Sequence, residues 1–262
     1  MLILGIDTTT KTASTAVVDA GQTPVGVADT PFQKGAKTLA EITACGNISH
    51  SENLMPMVDY TLKCAGVLLS EIDLFAVANG PGSFTGIRIG VATIKGLAFG
   101  TDENNCVGVS SLYALAHNFY ELPPSTSLTP PSTKRGANLL ILPVIDARRK
   151  QVYNAVFEIS DGIKYIKRDR IITVGELEKE LNAEFSGHKV IFTGDGAEMC
   201  YGEINFGGKT QIPDKLKKPS AAALCMAAYE EYKKGGAVHA RTLSPSYLIK
   251  TQAEREYAGK NE

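Results

Sequence analysis

A glycine-rich turn joins a short apolar run to a long apolar segment, and this stretch constrains the fold most. Residues 74–78 are apolar over the length of a strand, and residues 79–86 contain three glycines and a proline. Residues 84–99 are then apolar on nearly every side. A helix of this composition must be covered on more than one side. The stretch therefore predicts a strand, a turn and a helix that its own sheet covers only in part.

The glycines of this turn allow two interpretations. Backbone amides at a helix start bind anions, but Gly82, Gly86 and Gly90 are four residues apart, which fits neither the P-loop nor the dinucleotide-binding motif. Small residues one helical turn apart let another backbone come close, so we favour tight packing over phosphate binding. Arg88 and Lys95 share one helical face, where we expect them to be solvated or to pair with acidic residues of a partner.

A second helix is predicted between a serine cap at Ser49 or Ser51 and a terminator at Gly66. Pro56 has no amide hydrogen, so we expect the regular helix to begin around Asn53 or to be kinked there. This helix also has more apolar surface than one partner can cover. Its apolar residues are Leu54, Val58, Leu62 and Ala65 in one stripe, and Met55, Met57, Tyr60 and Cys64 around it.

Composition limits the remaining possibilities. The 262 residues are 44% hydrophobic and 21% charged, which is ordinary for a globular protein, and a net charge of -1 gives no general attraction for nucleic acid. The five cysteines are widely spaced and form no C-x-x-C pair, which argues against a disulfide framework or a zinc ribbon. With no basic leader and no apolar run of membrane-spanning length, we expect a cytoplasmic protein without a membrane segment.

Strands and helices alternate along the chain, which is typical of an α/β fold. We predict an N-terminal lobe at 1–108, a second lobe at 109–218, and a C-terminal helix with a loose tail at 219–262 that returns toward the first lobe. The first lobe opens with strands at 2–7, 13–18 and 24–28; the second has strands at 139–145, 152–159 and 189–192 and a Pro/Ser/Thr-rich loop at 121–138; the last helix spans 221–232, and the tail begins at 251.

Candidate chemistry is sparse. Asp7 ends a strand and precedes three hydroxyls, which suits a Mg²⁺-phosphate site or, more commonly, a turn with local hydrogen bonds. Asp146 stands beside Arg148 and Arg149, where it could face a nucleotide or form an ordinary surface ion pair. The four histidines form no metal-binding pair, and Ser83 lacks the G-x-S-x-G elbow of a hydrolase.

Six segments together resemble one family. They are residues 4–10 (LGIDTTT), 50–56 (HSENLMP), 80–90 (GPGSFTGIRIG), 95–98 (KGLA), 146–148 (DAR) and 245–248 (PSYL). This set is similar to the bacterial TsaB (YeaZ) family, the non-catalytic paralogues of TsaD. The resemblance implies an actin-like ASKHA (ribonuclease H-like) fold with two similar lobes. It also implies action with TsaD and the ATPase TsaE in transferring a threonylcarbamoyl group to the adenosine next to the tRNA anticodon.

The same resemblance implies a partner surface. In the family, the helices that correspond to residues 53–65 and 84–99 pack against the equivalent pair of TsaD. We therefore expect partner contacts at Leu54, Met57, Tyr60, Thr61, Cys64, Phe84, Gly86, Arg88, Ile89, Gly90 and Thr93. No catalytic residue is expected, since only His50 lies where TsaD-type members carry paired metal histidines. The chain would meet tRNA only through the complex and would form a homodimer when TsaD is absent.

The alternative is an actin-like ATPase or phosphotransferase that binds Mg-nucleotide between the lobes. Asp7, Thr8 and Asp146 are the candidate nucleotide-binding residues, and an adenine nucleotide with Mg²⁺ at the junction of the complex is a further possibility. Two departures weigh against binding by the chain alone. Thr8 stands where nucleotide-binding relatives favour glycine, and Arg148 and Arg149 stand where a second phosphate loop would be glycine-rich.

Overall fold

A computed structural model describes residues 1–21, 36–46, 49–99, 105–119, 139–160 and 162–248. The predicted strand at 24–28, the loop at 121–138 and the tail from 251 lie outside these residues. The described chain forms nine strands, seven α-helices and a short 3-10 helix at Leu69–Glu71. The strands are β1 (Leu2–Asp7), β2 (Ala13–Asp19), β3 (Lys37–Ala44), β4 (Leu74–Gly80), β5 (Cys106–Ser110), β6 (Leu139–Asp146), β7 (Gln151–Ser160), β8 (Gly162–Thr173) and β9 (Lys189–Thr193). The helices are α1 (His50–Ala65), α2 (Phe84–Leu97), α3 (Ser111–His117), α4 (Val174–Glu184), α5 (Ala197–Glu203), α6 (Asp214–Lys217) and α7 (Ala221–Lys233).

The strands build two sheets of the same design. The first has the order β3-β2-β1-β4-β5, in which β1, β2 and β3 are antiparallel and β4 and β5 run parallel to β1. The second has the order β8-β7-β6-β9, with an antiparallel meander of β6, β7 and β8 and a parallel β9 beside β6. This repeat confirms the two similar lobes of the ASKHA-type fold.

Helices cover both faces of the first sheet, which explains why its central strands are almost continuously buried. On one face, α1 packs on β2 and β3, and α2 packs on β4 and β1. On the opposite face, α7 packs on β1 and β2, and α3 lies between this sheet and β6 of the second. The outer side of the second sheet carries α4 and α5. Three hydrophobic clusters fill the spaces between these layers.

The start of α1 differs from the prediction. The helix begins at His50 after a cap at Ser49, and Pro56 lies inside it, so the expected start near Asn53 is wrong. Proline leaves the carbonyl of Glu52 without its usual helical donor. Because Pro56 and Glu52 are both exposed, water can replace that hydrogen bond and the helix continues.

After α7, the chain crosses the first lobe as an irregular segment, residues 239–247, which we call the C-terminal strap. The ammonium group of Lys95 on α2 donates hydrogen bonds to two strap carbonyls, those of Arg241 at 3.1 Å and Leu243 at 3.0 Å. The ammonium group of Lys95 therefore binds the protein's own strap, whereas its spacing from Arg88 predicted a solvated side chain or a pair with a partner's acidic residue. It fastens the strap to α2.

None of the helices in the described parts of the chain is both long enough and apolar enough to cross a membrane.

Candidate partner-binding surface

Two parallel helices, α1 and α2, form the outer layer of the first lobe. Each begins at the edge of the sheet where β1 and β4 end, and the two helices contact each other. Their ends follow from local sequence. The Ser83 hydroxyl caps α2 by accepting a hydrogen bond from the amide of Gly86 at 3.3 Å, and Gly66 ends α1 in the left-handed conformation. The outward faces of these two helices are the candidate surface.

Five of the eleven residues predicted to contact a partner belong to the protein's own interior. They are Leu54, Met57, Thr61, Gly86 and Gly90, all of which are buried. Thr61 shows the reason. Its hydroxyl donates to the carbonyl of Met57 at 2.7 Å and lies 2.6 Å from the hydroxyl of Thr15 on β2, so a polar side chain faces the sheet. In this structure these five therefore present little or no surface to a partner.

The glycine spacing on α2 does serve close packing, but within one chain. A Cβ added at Gly86 would lie 1.9 Å from the carbonyl oxygen of Thr8, and one at Gly90 would lie 2.6 Å from the Thr8 hydroxyl. That hydroxyl donates to the carbonyl of Gly86 at 2.8 Å. The backbone that approaches α2 is therefore the turn after β1 and not a partner helix.

The remaining six predicted residues face outward fully or in part. Tyr60, Cys64 and Arg88 are exposed. The half-buried residues are Phe84, Ile89 and Thr93. Ile89 packs at the edge of the core beneath α2, whereas its neighbours Ile87 and Val91 are buried in that core.

Most of the exposed large hydrophobic side chains belong to α1, to the residues just after α1 or α2, or to the end of the strap and the residue after it. There are nine among the described residues, and only Ile166 and Tyr232 lie away from the α1–α2 layer and the strap. The seven on or beside the layer are Met55, Tyr60, Leu68, Leu69, Phe99, Tyr247 and Leu248. The most prominent are Phe99, 78% exposed, and Tyr60, 62% exposed. Exposed apolar side chains that cluster are typical of interaction sites, so the α1–α2 layer is a candidate docking surface.

Of these seven residues, only Tyr60 was among the predicted contacts, so six were missing. Met55 and Phe99 are apolar residues of the two predicted helical segments, but periodicity alone does not show which side of a helix its own sheet covers. Tyr247 gave no local signal, since the strap brings it to α2 from more than 150 residues along the chain. Its ring stacks on Phe84 with centroids 4.8 Å apart, and its hydroxyl accepts a hydrogen bond from Nε of Arg88 at 2.9 Å.

Two of the predicted nucleotide-binding residues, Asp7 and Thr8, lie at the end of β1 and just after it, and both form hydrogen bonds within the fold. Asp7 is buried at the end of β1, where its carboxylate accepts hydrogen bonds from the amide and hydroxyl of Thr9 at 2.9 and 2.7 Å. Burial raises the pKa of Asp7, although the two Thr9 hydrogen bonds oppose this shift. Thr8 donates its hydroxyl to α2. Thr8 therefore does not fit a phosphate-binding role, and Asp7 forms the local turn that was favoured from the sequence.

A second acidic residue, Asp195, was missed as a cleft residue. It follows β9 and accepts a hydrogen bond from the amide of Asp146 at 3.0 Å, while burial raises its pKa. Asp146 itself is exposed and accepts from the amide of Arg148 at 2.7 Å, so it forms a local turn bond. Arg148 and Arg149 adopt φ angles of 67° and 54°, in the region that glycine favours, which raises the conformational cost of this turn.

The histidines of the described residues do not form a metal site. His50 lies at the start of α1 with its Nε2 2.8 Å from the carbonyl oxygen of Thr10, which ties α1 to the turn after β1. No group of three potential metal ligands occurs in the portion of the chain that the structure describes.

Comparison with known proteins agrees with this architecture. A family model described as TsaD, tRNA N6-adenosine threonylcarbamoyltransferase, matches residues 37–257. Relatives named tRNA threonylcarbamoyladenosine biosynthesis protein TsaB are 29% identical in Escherichia coli strain K12, over 99% of this chain and 100% of the relative, and 28% identical in Bacillus subtilis strain 168, over 98% of each. A relative named tRNA N6-adenosine threonylcarbamoyltransferase, from Brachyspira hyodysenteriae, is 34% identical over only 39% of this chain.

Two solved structures share the fold. One, a Pseudomonas aeruginosa protein with similarity to peptidase YeaZ, has a TM-score of 0.71 at 24% identity and covers 95% of this chain and 99% of its own. The other, YeaZ from Pseudomonas aeruginosa, has a TM-score of 0.69 at 24% identity and covers 94% and 99%. The chain therefore belongs to the family of tRNA N6-adenosine threonylcarbamoyltransferase, TsaD, and within it to the TsaB (YeaZ) branch that its sequence resembles.

Proposed function

We propose that this chain takes part in tRNA threonylcarbamoyladenosine biosynthesis as an assembly subunit that binds and activates TsaD. The names of its full-length relatives support the pathway, and the exposed α1–α2 layer supports the binding role. In this proposal TsaE and tRNA join through the assembled complex, and the chain does no chemistry itself. The setting is the cytoplasm, and without TsaD the same layer pairs with a second copy of the chain.

The observation that carries the proposal is that seven of the nine exposed large hydrophobic side chains among the described residues lie in α1, just after α1 or α2, or at and after the end of the strap. Each such side chain contributes about 1.5–3 kcal/mol when a partner removes it fully from water. Tyrosine, arginine and methionine are also the residue types enriched in the cores of protein interfaces, and Tyr60, Arg88 and Met55 all lie in this layer.

The cleft gives less support to the alternative, an ATPase or phosphotransferase. Thr8 uses its hydroxyl to hold α2, and the Asp7 carboxylate accepts two hydrogen bonds from Thr9. The Thr8 hydroxyl is therefore committed to α2, and both hydrogen bonds to Asp7 are on its Oδ1.

A binding experiment with TsaD from the same organism tests the proposal. The unaltered chain should elute with TsaD as a complex in size-exclusion chromatography. Tyr60→Glu should weaken binding by about 100-fold or more, because an unpaired charge would be trapped in an apolar interface. Tyr60 suits this test better than Ile89, since Ile89 also packs on the protein's own core and a charge there would disturb the fold.

Tyr232→Glu is the matched control. Tyr232 is also a helical tyrosine and 40% exposed, but it lies on α7, away from the α1–α2 layer. The control should bind TsaD like the unaltered chain. If the unaltered chain does not bind TsaD, the proposed function is wrong. Equal binding by the unaltered chain and Tyr60→Glu would leave the function possible and exclude this surface.

A further inference from the structure

The C-terminal strap holds one aromatic residue in a fixed place on α2. Besides the Lys95 contacts, the amide of Ser246 donates to the carbonyl of Asn79 at 2.7 Å, which fastens the strap at the end of β4. The strap passes so close to Gly80 that an added Cβ would lie 2.3 Å from the carbonyl oxygen of Ser246. Tyr247 follows directly. Backbone contacts of the neighbouring residues therefore hold the strap beside α2 immediately before Tyr247.

Tyr247 in turn fixes the side chain of Arg88. The tyrosine ring stacks on Phe84, and its hydroxyl accepts a hydrogen bond from Nε of Arg88 at 2.9 Å. The guanidinium carbon lies 5.8 Å from the centroid of the ring, within the range of a cation–π contact. An exposed arginine ordinarily samples many rotamers, and these contacts remove much of that freedom before any partner arrives.

The two terminal nitrogens of the Arg88 guanidinium are available to bind another group. No carboxylate in the described part of the chain forms an ion pair with this guanidinium, although arginine is the side chain best shaped for bidentate carboxylate binding. With Nε used by Tyr247, only the end-on pair of terminal nitrogens can bind both oxygens of a carboxylate. The exposed fork lies within the α1–α2 layer, among apolar side chains that a partner would cover.

We propose that Tyr247 is a positioning residue for Arg88, and that Arg88 binds a carboxylate of the docking subunit through its two terminal nitrogens. This inference rests on the proposed function, since the carboxylate belongs to TsaD. It assigns the strap a part in recognition: the strap presents a preformed cationic fork, so less side-chain entropy is lost when the complex forms. A lysine at position 88 could not make the paired contact.

A double-mutant cycle tests the assignment. Affinity for TsaD is measured by isothermal titration calorimetry, at low and high salt, for the unaltered chain, Arg88→Gln, Tyr247→Phe and the double variant. Arg88→Gln should weaken binding by about 10- to 100-fold and flatten its salt dependence, because a charge-assisted pair is lost. Tyr247→Phe keeps the ring and removes only the acceptor, so it should weaken binding by about 3- to 10-fold when Arg88 is present and by less than about 2-fold in the Arg88→Gln background.

Tyr232→Phe is the control for loss of a tyrosine hydroxyl elsewhere and should leave affinity unchanged. Thermal unfolding of each variant separates a positional effect from a loss of stability, which a merely structural tyrosine would show. An equal effect of Tyr247→Phe in both backgrounds, or no effect in either, would overturn this inference while the proposed function stands. If the unaltered chain does not bind TsaD, both are overturned.

Discussion

The close contact between α2 and the turn after β1 predicts that an alanine at Gly86 lowers the stability of the protein. Gly86→Ala places a methyl group 1.9 Å from the Thr8 carbonyl oxygen, which is backbone and cannot rotate away. Overpacking of a core contact costs about 1–3 kcal/mol, and displacement of α2 would also break the hydrogen bond from the Thr8 hydroxyl to the Gly86 carbonyl, worth about 1 kcal/mol. Alanine recovers about 1 kcal/mol of helix propensity. The free energy of unfolding should therefore fall by about 2 kcal/mol.

Gly96→Ala in the same helix is the control, since nothing lies within 4 Å of its added Cβ. This variant should be more stable by about 0.5–1 kcal/mol, from helix propensity alone. Urea unfolding followed by circular dichroism measures both, with a lower midpoint for Gly86→Ala and a higher one for Gly96→Ala at a similar slope. A neutral or stabilising Gly86→Ala would refute the close approach of Thr8 to α2.

Three further predictions concern buried polar groups and the cleft. Thr61→Val should lower the free energy of unfolding by about 1–3 kcal/mol because it leaves the buried Thr15 hydroxyl unpaired. The double variant with Thr15→Val should recover part of that loss. Equal losses for the single and the double variant in urea titrations would argue against the pair. Burial raises the pKa of Asp7 in the folded state, so protonation of Asp7 favours the folded state. The unaltered chain should therefore gain stability relative to Asp7→Asn as pH falls from 7 toward the unfolded-state pKa of about 3.9. Below that pKa no further gain is expected. A pH series of urea midpoints in which that difference stays constant would contradict the shift. Isothermal titration of the isolated chain with ATP and Mg²⁺ should show no tight binding, whereas tight binding that is lost in Asp7→Ala would favour the ATPase alternative.

Local patterns predicted the elements better than they predicted which surfaces meet. The spacing of Gly86 and Gly90 indicated close packing, and the structure has that packing, yet the neighbour is Thr8 of the same chain. Periodicity shows that a helix has two apolar sides, but it does not show which side the sheet covers. Thr61 illustrates the limit, because the family resemblance implied a partner contact there, whereas its hydroxyl pairs with that of Thr15 in the interior.

Contacts between distant parts of the chain were beyond the sequence patterns. Lys95 and Arg88 share a helical face, so spacing alone gave them the same role. The structure separates them, because Lys95 binds carbonyls of the strap while Arg88 meets the hydroxyl of Tyr247. No sequence pattern brought Asp195 together with Asp146, since their approach depends on the parallel pairing of β6 and β9. The resemblance to the TsaB (YeaZ) branch, in contrast, depended on whole motifs and was confirmed.

Hydrogen exchange of the chain with and without TsaD tests the central claim most directly, because it locates the surface that the partner covers. The account predicts that TsaD slows exchange in peptides from α1, α2 and the C-terminal strap, while peptides from α4 and β8 in the second lobe keep their rates. Slower exchange confined to α4 and β8, or unchanged rates across α1 and α2 in a complex shown to have formed, would contradict the claim that the α1–α2 layer is the docking surface.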